Sequence, residues 1–215
     1  MSDFRFQVLE MKDTTARQWL ERWSSVYDSD SGPDSYDEKE YSVLMRNCAS
    51  FSGDDFERIG KWKDSAWADG KWKPNVASVA YLIWMKAAAE LPKSPEDSEL
   101  EKFLRYWSEQ TYTDVFSNRS VTKNFGLSRS STLLHFLSAG QYPIFDGRVR
   151  TAISRLSNCP VPPYTIRWYL DSYLPLFRDL TDRCETKTNL RRLDKALFSY
   201  GAQDKRTFLA SSWQD

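Results

Sequence analysis

The sequence predicts an all-α protein, and two observations carry that prediction. Apolar residues recur at helical spacing along most of the chain, and no stretch shows a convincing period-two alternation, an internal repeat or a low-complexity tract. At 215 residues the chain is long enough to bury a full core, as one large domain or as one domain built from two lobes. Nine Trp, 11 Tyr and 12 Phe point to an aromatic-rich core.

The elements follow in order. ARQWLERWSSVYD puts Trp19, Leu20, Trp23, Val26 and Tyr27 on one helical stripe. DSDSGPDSYDE reads as an exposed acidic loop. YSVLMRNC and DDFERIGKWK read as two short helices. In the second, Phe56, Ile59 and Trp62 share a face, and Asp54 and Asp55 suit its N-terminus, where carboxylates meet unpaired amides. DSAWADGKWKPN is a loop punctuated by Gly and Pro. VASVAYLIWMKAAAEL, apolar nearly all round, is expected to be the most buried helix. After the break at LPKSPED, SELEKFLRYWSEQ forms an amphipathic helix through Leu100, Phe103, Leu104 and Trp107. Further on, NCPVPPY is a stiff turn, and TIRWYLDSYLPLFRDL is a helix that Pro175 should kink. LRRLDKALFSYG is the last helix, with Gly201 as its expected stop.

Composition narrows the chemistry. Cys48, Cys159 and Cys184 are odd in number and lack CxxC spacing, which argues against a disulfide framework and a zinc site. A single histidine leaves no His-based triad or metal site, so no metal and no cofactor are expected. The start of the chain has no signal-like apolar run, and no stretch approaches the roughly 20 apolar residues of a membrane span. The expectation is a cytoplasmic protein with no membrane partner. Formal net charge is zero, but it is unevenly spread. Residues 1 to 60 hold 13 acidic and seven basic side chains, whereas residues 111 to 160 hold six basic and two acidic. The basic segment fits a modest polyanion site or, equally, solvated helix faces.

That segment contains NFGLSRSSTLLHFLSAGQYPIFDGRVRTAI, residues 124–153. Asn124 and Gly126 flank Phe125 in the form of a tight turn opening a helix. Such a turn aims backbone N–H groups outward, as a phosphate site requires. The helix buries Leu133, Leu134 and Leu137. His135 on the same helix reads as a packed or hydrogen-bonded structural histidine. Pro143 and Ile144 then lead an extended apolar segment to Asp146. This residue is the N-cap candidate of GRVRTAISRL, where the helix dipole favours its ionised form.

This layout resembles the helix–hairpin–helix DNA glycosylase superfamily, with its hairpin hPGhGxxxA, a helix, and then P-V-D-x-x-V carrying an essential Asp. TKNFGLSRSS stands for the hairpin and PIFDGRV for the second motif. A bacterial 8-oxoguanine-glycosylase-like branch, with ASTILHF followed by YPILDxRA, is more similar still to SSTLLHFLSAGQYPIFDGRV. RIGKWK and RRLDKALFSYG also look like that branch. The resemblance touches residues from about 56 to 202 and is sharp over 124 to 150.

It implies a two-lobed helical fold across residues 1–215, with a cleft between the lobes and the hairpin and Asp-helix motifs within 121–157. It implies double-stranded DNA as partner and Asp146 as the catalytic carboxylate. DNA contacts would come from Asn124, Phe125, Gly126, Ser128, Arg129, Ser130 and Arg148. The activity implied is that of a monofunctional glycosylase removing a modified or mismatched base. The chain departs from the pattern in three places. Asn124 replaces the first hairpin Gly, and Ser130 stands where Ala is usual. Ser128 replaces the lysine that bifunctional members use for a Schiff base, so no lyase activity is expected by that route. No iron–sulfur CxxC arrangement is present. Two further readings stand beside the enzyme: a catalytically silent member of the fold that binds DNA or a protein, and a helical adaptor using the acidic loop. Trp67 and Trp72, in a polar loop, are the candidates for stacking a flipped base.

Overall fold

The computed structural model describes residues 13–28, 37–47, 53–63, 95–109, 111–116, 119–186 and 189–202. The expected buried helix over VASVAYLIWMKAAAEL, the loop holding Trp67 and Trp72, and the acidic loop up to Tyr36 lie outside these residues.

The described elements are α1 (Asp13–Asp28), α2 (Glu38–Arg46), α3 (Gly53–Lys63), α4 (Asp97–Glu109), β1 (Thr111–Phe116), β2 (Arg119–Asn124), α5 (Gly126–Leu137), α6 (Gly147–Ser157), α7 (Ile166–Trp168), α8 (Leu174–Arg183) and α9 (Leu190–Ala202). A π-helical stretch, Tyr169–Tyr173, joins α7 to α8. The class is all-α, as the periodicity predicts, with one addition. β1 and β2 form a two-stranded antiparallel ribbon, with Thr111 paired to Asn124 and Phe116 to Arg119. The sequence reading expects no strand there. TYTDVF and RSVTKN hold β-branched and aromatic residues that favour strand, but no clean apolar alternation.

The helices group into two compact units. In the first, α1 and α6 pack against α9, and residues 171–186 complete it. The α1 stripe meets α9 through aromatic edges. Trp19 and Trp23 approach the Tyr200 ring at 5.6 and 5.1 Å, and Tyr27 lies 5.8 Å from Phe198. Polar ties rim this seam: Arg191 donates to Tyr27 Oη at 2.8 Å and pairs with the buried Asp194, and Lys195 pairs with Asp28 at 2.7 Å. At the end of α8 the buried Cys184 thiol donates to the Ala16 carbonyl at 3.5 Å, and burial pushes its pKa from 9.0 up to about 11 against the opposing charge of Arg192.

Gly201 does not end α9, as the sequence reading expects; it lies within the helix. Its role is close approach. A Cβ there would sit 1.8 Å from the Arg148 carbonyl oxygen and 2.6 Å from its carbon, so only glycine lets α9 lie against the first turn of α6.

The second unit is built from α2 to α5, the ribbon and residues 165–170. Asp37 caps α2 by accepting the Lys39 and Glu40 amides at 2.9 and 3.0 Å. Arg58 of α3 reaches back to Glu40 with two bonds of 2.5 and 2.9 Å, which fixes α3 against α2. Ile59 and Trp62 are buried as expected, and the Trp62 indole donates to the Asp37 carbonyl at 3.1 Å. The α4 face of Leu100, Phe103, Leu104 and Trp107 is buried as its spacing predicts.

Pro175 coincides with an interruption of the α-helix. The helix widens into the π turn just before it and restarts at Leu174, so the proline falls in a first turn, where its missing amide donor is harmless.

Candidate functional site

The turn that opens α5 belongs wholly to the second unit. Strand β2 delivers Asn124 to solvent and Phe125 to the core, where the Phe125 ring lies 5.8 Å from Trp107 of α4. Gly126 then takes φ +74°, a left-handed conformation that a side chain resists. An added Cβ would meet nothing within 4 Å, so it is backbone shape, not space, that asks for glycine. α5 starts without a side-chain cap from Phe125. Arg129, half-buried, donates to the Phe125 carbonyl at 3.3 Å and so spans the turn from inside the molecule. The Ser128 carbonyl accepts both the Ser131 and Thr132 hydroxyls, at 3.0 and 2.8 Å. Ser130 is fully buried and bonded to Ser108 Oγ at 2.9 Å and to the Leu127 carbonyl at 3.2 Å. This hydroxyl is therefore satisfied inside the core, where it ties α5 to α4.

His135 is 1% exposed and clamped at both nitrogens: Nδ1 lies 2.8 Å from the Tyr142 carbonyl and Nε2 2.9 Å from Tyr41 Oη. A carbonyl only accepts, so Nδ1 carries a proton and donates to Tyr142, while Nε2 shares a hydrogen bond with the Tyr41 hydroxyl. The structural reading of this histidine holds.

The apolar run before Asp146 is held by side chains. His135 ties the Tyr142 carbonyl, Tyr169 Oη donates to the Pro143 carbonyl at 3.0 Å, and Tyr164 Oη donates to the Phe145 carbonyl at 3.1 Å. An extended segment outside any sheet must find such partners for its buried carbonyls. Phe145 is fully buried, with Tyr164 and Tyr173 at ring distances of 5.5 and 4.9 Å in the first unit.

Asp146 comes next and is 9% exposed. Its backbone is extended, and its Oδ1 accepts the Arg148 and Val149 amides, each at 3.0 Å, as an N-cap does. The cap predicted from the pattern is there. The expected arginines are beside it, but each is engaged within its own unit. Arg148 stacks its guanidinium 4.3 Å from the Phe198 ring centre. Arg150 gives two bonds, of 2.8 and 2.5 Å, to the Pro162 carbonyl and lies 4.8 Å from the Tyr164 ring centre. Arg155 donates to the Tyr200 carbonyl at 2.6 Å. These contacts hold each guanidinium against its own unit.

Three participants escaped the sequence reading. Tyr164 and Tyr169 sat in a turn and a helix with no signal beyond being tyrosines. Gly201 stood where a stop was expected. The hairpin residues 124–130 belong to the second unit and Asp146 to the first. Among the described residues no cluster of three or more His, Cys, Asp or Glu could hold a metal ion, and no helix is long and apolar enough to cross a membrane. Comparison of the chain with protein-family models, curated proteins and solved structures finds no match in any of the three.

Proposed function

We propose that the chain binds double-stranded DNA and acts as a monofunctional glycosylase of the helix–hairpin–helix kind, hydrolysing the bond between a modified or mismatched base and its sugar. The observation that carries the reading is Asp146. A plain helix cap can sit on any surface loop. This carboxylate is nearly buried, and the Phe145 carbonyl just before it is tied by a side chain. Such preorganisation is what a group needs if it is to stabilise a sugar that turns cationic as the base leaves. In this reading Asp146 stabilises the charge and aligns the attacking water. In this reading the turn at Gly126, with Asn124, Ser128 and Arg129, makes the phosphate contact of the hairpin, and the buried Phe125 and Ser130 hold the turn in place from inside. Arg148 sits at the Asp helix. Ser128 cannot form an imine, so strand cleavage through a Schiff base is absent.

A second reading, a catalytically silent module that binds DNA or protein, draws on the arginines. Arg148, Arg150 and Arg155 are all engaged with their own unit, and Arg129 is turned onto its own backbone.

The test is base release from duplexes carrying a panel of modified and mismatched bases, scored after alkali cleavage at abasic sites. Asp146→Asn keeps most of the cap, since Asn caps nearly as well as Asp, and should lower stability by less than about 1 kcal/mol. Base release should fall by about a hundredfold or more, with DNA binding retained. Release that survives the substitution reduces Asp146 to a cap. DNA binding without release by the wild type favours the silent module.

A further inference from the structure

Two strongly exposed large apolar side chains, Val161 at 52% and Tyr164 at 39%, fall in one short turn, PVPPY. The turn is stiff for covalent reasons. Pro160, Pro162 and Pro163 have fixed φ, and Cys159 and Val161, each preceding a proline, are held extended. It is pinned at three points. Ser154 Oγ donates to the Cys159 carbonyl at 2.5 Å, Arg150 donates twice to the Pro162 carbonyl, and Tyr164 Oη donates to the Phe145 carbonyl. That last bond places the ridge at Asp146, because the Phe145 carbonyl belongs to the peptide that enters Asp146. The rings of Tyr164, Phe145, Tyr173 and Phe177 follow one another at 5.5, 4.9 and 5.9 Å. The last three are buried, and Tyr164 is the end in water. From Gly147 to Tyr164 the chain holds three arginines and no acidic residue.

A rigid apolar edge in a basic segment beside a carboxylate suits a base that has left the stack, which offers a flat apolar face on a polyanionic chain. We propose that the Val161–Tyr164 ridge is the surface that meets an unstacked base when DNA is bound at Asp146. The proposal rests on the DNA-binding reading given above.

The experiment measures binding to two labelled duplexes of one sequence, one intact and one carrying a tetrahydrofuran abasic-site mimic, over a range of salt concentrations. Wild type should prefer the abasic duplex. Val161→Ala/Tyr164→Ala should lower that preference by about 5- to 100-fold, the range for losing a stacked base. The salt dependence should stay unchanged, because no phosphate contact is removed. Tyr164→Phe keeps the ring and should keep the preference. Melting curves check that the variants are folded. If the double variant melts early, Val161→Ala alone carries the test with the same sign, at a site already half in solvent. A folded variant that keeps the full preference overturns the ridge and leaves the DNA reading standing. So does a wild type that binds both duplexes equally. A wild type that binds neither overturns both.

Discussion

Gly201→Ala sets two effects of opposite sign against each other. Alanine in a helix interior is favoured over glycine by about 1 kcal/mol, so on propensity alone the substitution stabilises. The structure puts the new Cβ 1.8 Å from the Arg148 carbonyl oxygen, 2.6 Å from its carbon and 3.1 Å from its Cα. The obstacle is backbone in the first turn of α6, not the mobile end of a side chain, so α6 and α9 must part by more than an ångström. Val149, Ala152 and Ile153 of α6, and Leu193, Ala196 and Leu197 of α9, are all buried, so that shift loosens a packed seam. Overpacking typically costs 1–3 kcal/mol, and a backbone clash belongs at or above the top of that range. After the helix gain, the net loss should be about 2 kcal/mol or more. At about 2–4 °C per kcal/mol for a chain of this size, the melting temperature should fall by roughly 4–8 °C or more. Circular dichroism of both proteins under one buffer measures it. A melting temperature that rises by a few degrees would refute the argument, because helix propensity would then have outweighed the contact.

Two further predictions address buried groups. Tyr41→Phe removes the hydroxyl that bonds His135 Nε2 inside the core. It should cost about 1–3 kcal/mol in urea unfolding although the rings are nearly isosteric, and an unchanged midpoint would show that the bond contributes nothing. The Cys184 thiol, raised by burial to about 11, keeps its proton in the folded chain at pH values where the unfolded chain loses it. Tyr200 is shifted the same way by burial. Stability should therefore be fully present below pH 9 and decline as pH rises from 9 to 11, and Cys184→Ala should flatten the first part of that decline.

Much of the fold was legible because it is local. The α4 stripe, the Asp146 cap and the helical class all follow from spacing within one or two turns. What escaped was set by distant partners. Gly201 looks like a stop, and only the Arg148 carbonyl, 53 positions earlier in sequence, reveals why glycine is needed. The ribbon was missed because Thr, Tyr and Val favour strands by shape while Asp, Lys and Asn interrupt the alternation that reports a buried face. The widened turn at Tyr169–Tyr173 illustrates a third limit. Proline signals that a helix must adjust, but not how. At the candidate site the sequence located Asp146 and its cap. It could not show that arginines beside it would clamp Pro162 and Tyr200, since a guanidinium is equally at home on a carbonyl, a ring or a phosphate.

The lone imidazole has a use beyond packing. A proton or nitrogen spectrum of this chain contains one histidine, so its ring signal needs no assignment. That ring is joined to α2 through Tyr41 and to the Tyr142 carbonyl through Nδ1, with the methyl of Met45 and the ring's own Cε1 both close to Gly140. Its nitrogen shifts report which of the two carries the proton, and any population that breaks the Tyr41 bond would shift or broaden that single line. Opening of the second unit by heat or denaturant can thus be followed without a substitution.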